Sequence, residues 1–262
     1  MNATGGQSLD VTPRPAAASR PARIWAHAKL ELSMLLRNGE QLLLTAVLPL
    51  GLLVLLSQTT VIDVSASTQQ ERVDIVVPGI FALAILSTAF TALAIQTGFE
   101  RRYGVLRRIG TTPLSRADVL GGKAVAVGAV EAIQLMVLGV VGFALGWQPE
   151  PAGLVLALPI VVLGSATLAA LGLLLAGVVR AEATLALANL AYLVLAGAGV
   201  LVPVAELPER LQPAVDLLPS AALAEALRLA TIASEVNVAH ILVLVAWLVG
   251  SAVGVARLFR WE

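Results

Sequence analysis

Six stretches of this sequence stay apolar for long enough to cross a lipid bilayer, and no other feature restricts the fold as much. They cover residues 41–57, 75–98, 124–146, 154–179, 184–202 and 238–258. A hydrocarbon layer about 30 Å thick takes roughly 20 helical residues to cross, at about 1.5 Å each. Lipid offers backbone polar groups no partners, so stretches of this kind cross as helices that bond within themselves. Composition points the same way. Hydrophobic residues make up 58% of the chain and charged ones 13%, against an apolar share of roughly 45–50% in soluble domains. The first stretch is the shortest and contains Pro49 and Gly51, and Pro78 with Gly79 opens the second. The expected fold is all-α, a membrane protein with six transmembrane helices.

The segments between these stretches differ in character. Residues 1–20 are rich in Gly, Pro, Ser, Thr and Ala without an apolar period, which suits a disordered tail; no apolar core of a signal peptide occurs there. Residues 21–39 read as an amphipathic helix lying in the membrane interface, with Ser19 as cap and Pro21 in the first turn. Ile24, Trp25, Ala28, Leu32, Leu35 and Leu36 form its apolar face, and Arg23, His27, Glu31 and Arg37 fall largely on the other. His27 and Glu31, four apart, are expected to be a surface pair. Residues 58–74 form a polar loop with Asp63, Glu71, Asp74 and Arg72. Trp147 to Pro151 suits a tight turn with an aromatic anchor, and Arg180 with Glu182 a minimal loop.

Residues 203–235 carry Pro203, Pro208, Pro213 and Pro219 and cannot form one straight helix. Two pieces, 206–218 and 220–232, are expected to make a helical hairpin that dips back into the outer leaflet, its corner buried in protein or lining a wet cavity. Arg257, Arg260 and Trp261 would anchor the end of the last span. Charge sets the orientation. With both termini on one side, all of the 17 Lys and Arg except Arg72, Arg210 and Arg228 fall on that side. Basic residues near span ends resist translocation, so both termini should be cytoplasmic.

The densest basic segment is 99–123, with Arg101, Arg102, Arg107, Arg108, Arg116 and Lys123 against Glu100 and Asp118. Tyr103, Leu106 and Ile109 recur at helical spacing between the charges, and Gly110 with Pro113 ends the pattern. This is a short amphipathic helix under the membrane, placed to press on something.

Little in the chain suggests catalysis. It has no cysteine, and its two histidines, His27 and His240, are far apart, so no metal site is expected. Gly121, Gly122 and Lys123 resemble a fragment of a phosphate loop, but Ala124 stands where a hydroxyl should and no strand precedes them. A flexible hinge is the expectation. Glu131 is the one carboxyl inside a span, with Gln134 on the same face; Gln96 and Asn189 are lone amides in other spans. A charge at mid-span is costly, so Glu131 should face protein or water, either as a hydrogen-bonded packing group or as part of a substrate path. Interhelical hydrogen bonding is the default for the amides. Gly164, Gly172, Gly177, Gly250 and Gly254 suit close helix packing.

The segment that begins Glu100, Arg101, Arg102, Tyr103, Gly104 and continues through Leu106, Arg107, Arg108 and Ile109 to Pro113, Leu114 and Ser115, with Lys123 opening the next span, resembles the cytoplasmic-loop signature of ABC-2 type transporter permeases. Leu207, Pro208, Leu211, Pro219 and Arg228 are similar to that family's re-entrant region before the last span, and the interfacial helix to its connecting helix. The closest flavour is the daunorubicin-resistance type of drug and lipid exporter.

The resemblance implies a division into a tail (1–20), a connecting helix (21–39) and a transmembrane domain (40–262). It makes residues 100–109 a cytoplasmic coupling helix, seated in a cleft of a separate ABC ATPase subunit that binds the ATP and magnesium. Leu106 and Ile109 would fill a pocket there while the arginines pair with acids or lipid headgroups. A second permease subunit, identical or not, would complete the pathway. No nucleic acid is implied. The cargo would be an amphipathic drug or lipid, exported through the cell membrane; long-chain polysaccharide is the family's other common cargo. An ion-coupled secondary transporter is the rival class, but it should show internal repeats and paired ionisable groups. A structural membrane subunit that only anchors other proteins is a third.

Overall fold

The computed structural model describes residues 18–37, 39–59, 66 and 68–259, without the side chains of 40–45. The expected tail up to residue 17, the loop around Asp63, and Arg260 and Trp261 lie outside the described residues. Among the described residues the regular structure is entirely helical. In order come α1 (Arg20–Arg37), α2 (Gly39–Gln58), α3 (Gln69–Arg102), α4 (Val105–Ile109), α5 (Arg116–Ala144), α6 (Pro151–Val178), α7 (Ala181–Val200), α8 (Gln212–Val215), α9 (Pro219–Ala233) and α10 (Val238–Leu258). Five of them, α3, α5, α6, α7 and α10, are long and apolar enough to cross a membrane. The described apolar part of α2, Ala46–Gln58, is shorter.

The axis of the bundle is α3. In its most apolar stretch 83% of residues are buried, against 11% for α10, which therefore lies at the rim. A capping box starts α3 well before the expected residue 75: Thr68 Oγ1 accepts from Glu71 N, and Glu71 reaches back to Thr68 N. Pro78 thus sits inside the helix instead of opening it. Asp74, on the second turn, accepts from Gln148 N at 3.0 Å and so ties the α5–α6 turn to this helix. Midway, Leu86–Ala92 widens into a π turn. Trp147, expected as an interfacial anchor, is buried instead. Its ring meets Phe81 edge-on at 5.4 Å and Phe143 at 5.2 Å, filling the gap under the turn.

Small residues let the other helices close on this axis. Gly172 of α6 lies under the π turn, where a Cβ would come 2.7 Å from Phe90 O. Gly164 is covered by Leu223 and Gly153 by the Ala230 carbonyl, so α9 beds directly on α6. Gly254 of α10 faces Leu174, where a Cβ would come 2.9 Å from Leu174 Cδ1, while Gly250 meets open space.

α9 departs most from expectation. Its bounds agree with the expected second piece of the hairpin, but it is enclosed nearly all round; Ala221, Ala222, Leu223, Ala224, Ala226 and Leu227 are wholly buried. The expected first piece, 206–218, is mostly turns. Only Gln212–Val215 is α-helical, after a 3-10 turn over Val204–Glu206; Pro208 supplies no donor, and Pro213 takes the first turn of the short helix. Leu211 is exposed beside that turn, and Pro219 takes the first position of α9, where a missing N–H is harmless.

Two substitutions test this packing. Gly172→Leu should lower the thermal midpoint of the detergent-solubilised protein, at a cost of about 1–3 kcal/mol from over-packing against a backbone that cannot yield. Gly250→Ala should leave the midpoint where it is.

Candidate functional site

The basic segment is an elbow, not one continuous helix. α3 ends at Arg102, and Gly104 adopts φ +69°, a conformation that side chains with a Cβ disfavour. The five residues of α4 follow, Gly110 closes them, and a capping box of Ser115 with Asp118 starts α5. The coupling segment expected over 100–109 is therefore broken at Gly104, because the chain has to turn sharply between two long helices.

The break decides which residues face outward. Tyr103 is 66% exposed, and Arg102, Arg107, Arg108 and Pro113 are exposed with it. Leu106, expected to fill a partner's pocket, is 3% exposed and already occupied within the chain. Ile109 and Leu114 are half-buried. They help to line a recess of about 430 Å³ on the inside of the elbow, with Leu106, Arg107 and Val119. The elbow thus offers a hollow as well as a ridge.

Behind it lies a buried ion cluster. Lys123, 1% exposed in its side chain, places Nζ 2.9 Å from Glu31 Oε1 and 2.6 Å from Glu100 Oε2. Gln96 Nε2 donates to Glu31 Oε2 and to Glu100 Oε1, both at 2.7 Å. His27 Nε2 stands 3.2 Å from Glu31 Oε1. His27 and Glu31 are therefore no surface pair: that face of α1 is pressed into the protein, and Trp25 (57% exposed) points out beneath Lys29. Gly122 makes the approach possible, since a Cβ there would come 2.5 Å from His27 Cδ2. Gly121 and Gly122 are thus a contact surface inside continuous α5, not a hinge.

Further ties hold the elbow and α1. Buried Asp118 accepts from Arg20 Nε at 3.1 Å and from Arg23 Nε and Nη2 at 3.1 and 3.0 Å, clamping the start of α1 to the start of α5. Arg101 donates to the Val179 carbonyl, and Arg102 pairs with Glu182, which fastens α3 to the α6–α7 turn. Sequence reasoning missed Glu31–Lys123 and the Asp118 clamp. The signal was present: an isolated lysine at the start of an apolar span needs a carboxylate, and few are available.

The four polar residues expected along a substrate path do not converge. Gln96 belongs to the ion cluster. Glu131 and Gln134 bond to other helices: Ser165 Oγ donates to Glu131 Oε2 at 2.6 Å, and Thr88 Oγ1 to Gln134 Oε1 at 2.8 Å. Asn189 is exposed on the outer face of α7.

At the other end of the bundle Arg228 forms a second hub. It is 5% exposed. Its guanidinium donates to Glu225 Oε1 at 2.7 Å, to the carbonyls of Gly199 (3.0 Å) and Ile75 (3.3 Å), and to that of Val200. α7 loses helical geometry at Ala198 and Gly199, and Arg228 takes up the carbonyls freed there. Gly79 leaves it room; a Cβ would come 2.7 Å from Arg228 Nη2.

Removing the Lys123 ammonium alone strands two buried carboxylates. Lys123→Met should cost about 3–5 kcal/mol in denaturant or thermal unfolding, and adding Glu31→Gln with Glu100→Gln should recover much of it. Acid should act on the same cluster. Burial pushes the Glu31 carboxyl up, but the contacts with His27 and Lys123 outweigh it and hold it at about 2, below its ordinary 4.5. A depressed carboxyl stabilises the fold above its unfolded value and loses that contribution as pH falls toward the folded one. Between about pH 4.5 and 2 the wild-type midpoint should therefore fall more steeply than that of Glu31→Gln.

The family model for ABC-2 type transporters matches residues 22–232, from the first turn of α1 to the end of α9. No curated protein matches this sequence. A match over most of the chain, on a bundle of membrane-length helices with a basic elbow between the first two of them, leaves one assignment: the chain belongs to the ABC-2 type transporter family, as a multi-pass membrane permease subunit.

Proposed function

We propose that this chain is the membrane half of an ATP-driven exporter that moves an amphipathic drug or lipid-like cargo outward. The family implies pairing with an ABC ATPase subunit. On our reading ATP and magnesium are bound there, and this chain performs no catalysis itself. It crosses the cell membrane six times, with α2 as the first crossing, α1 in the interface and both termini cytoplasmic. Two permease copies, identical or paired with a different one, form the pathway between them.

The observation that carries this reading is the elbow's attachment. A ridge of Tyr103, Arg107 and Arg108 faces outward, while behind it Lys123, Glu31 and Glu100 bind α5, α1 and α3 into one body. Breaking such a buried pair costs several kcal/mol, so a push on the elbow displaces three helices together before it deforms any one. ATP-driven approach of two ATPases would then carry the two elbows, and the helices fixed to them, toward each other. The exposed arginines complement an acidic cleft, and the recess lined by Ile109 and Leu114 can take an apolar side chain from the partner.

The test reverses the ridge charge without touching the core. Arg107→Glu with Arg108→Glu should abolish co-purification of the ATPase and ATP-dependent transport into inside-out vesicles, since opposed like charges at an interface cost several kcal/mol. Arg210→Glu, on the far side of the bundle, should leave both intact. Transport that persists without the ATPase would sink the proposal.

A further inference from the structure

One flank of the bundle carries a long apolar groove that the proposed mechanism does not use. It lies between α6, α7 and the end of α10 and has a volume of about 700 Å³. Leu171, Leu174, Leu187, Leu190 and Val194 line it, Phe90 of the π turn forms part of its floor, and no polar side chain contributes. Along α7 it extends from Leu187 to Leu195, about 12 Å of helix. A cleft of this chemistry has nothing with which to orient a polar ligand; it suits a hydrocarbon chain.

The mouth on the elbow side is different. Val178, Val179 and Leu258 are its last lining residues. Arg180 follows the first pair and Arg257 precedes Leu258, and both side chains are exposed. The Phe259 ring lies against Gly177, which brings the ends of α10 and α6 together, and Arg257 and Arg180 each lie close to this contact in sequence. Neither guanidinium makes a hydrogen bond or ion pair among the described residues, whereas those of the neighbouring Arg101 and Arg102 are both engaged. Two unengaged cations at the end of an apolar slot match the layout of a phospholipid: acyl chain in the slot, phosphate at the membrane surface.

We propose that this groove binds one acyl chain of an anionic phospholipid from the leaflet on the elbow side, with its phosphate held between Arg180 and Arg257. The bound lipid fills the space between α6 and α7 and fastens the α6–α7 turn, and with it the Arg101 and Arg102 ties, to the membrane surface. The site rests on the reading of the chain as membrane-spanning. It does not depend on the ATPase or on the direction of transport, which the co-purification test above reads separately.

The experiment uses the full chain purified in detergent, with phosphatidylglycerol or phosphatidylcholine added, and reads retained lipid by native mass spectrometry together with the thermal midpoint. Phosphatidylglycerol should be retained and raise the midpoint, with phosphatidylcholine much weaker. Arg180→Gln with Arg257→Gln should weaken phosphatidylglycerol binding about thirtyfold, the sum of two surface arginines. Ala191→Phe, which fills the slot and leaves both arginines in place, should also release the lipid. Equal effects of the two lipids, or binding that neither variant changes, would overturn the proposal. So would a disulfide between two copies through Leu190→Cys, since the chain has no other cysteine and such a bond would put a second copy over the groove.

Discussion

A single buried ammonium holds the elbow end of this protein together. Lys123 belongs to α5, Glu31 to α1 and Glu100 to the end of α3, so one side chain joins three separate elements. Burying three charges is expensive, and mutual attraction offsets the cost only where the remaining polar atoms are also satisfied. Gln96 does this for both carboxylates. The arrangement is therefore strict about geometry, and the glycine at 122 is part of it because His27 could not otherwise come close.

The opposite end is solved by the same means with a different cation. Arg228 reaches carbonyls from α3 and from the broken end of α7 while pairing with Glu225 on its own helix. A planar guanidinium with five donors can serve several acceptors at once, which an ammonium on a flexible stem does less well. Between these two hubs the packing is mainly apolar, crossed by the Ser165–Glu131 and Thr88–Gln134 hydrogen bonds, and glycines at 153, 164 and 172 set how closely helices meet. Buried charged ties between helices thus concentrate at the two ends.

Legibility in the sequence followed the range of the forces involved. The bounds of α10 coincide with the apolar stretch 238–258, since hydropathy and a local Asn237 cap both act within a few residues. The start of α3 did not, because its capping box lies in polar sequence seven residues before the apolar run begins to look like a span. The basic elbow was visible as charge, and its shape was not: whether Gly104 interrupts the helix depends on where α5 must begin. Glu31, which pairs with Lys123, and Arg20 and Arg23, which hold Asp118, lie in α1, about a hundred residues away, and no local pattern encodes those pairings. Tertiary contact likewise turned Trp147 inward and enclosed most of α9.

That enclosure bears on how any cargo could travel. With its leucines and alanines wedged among α3, α6 and α10, α9 acts as a stopper at the Arg228 end of the bundle. A duct through one subunit would require pulling it out, along with the Arg228 hub that secures it. On the proposed exporter reading, cargo would instead pass along an outer wall of the bundle.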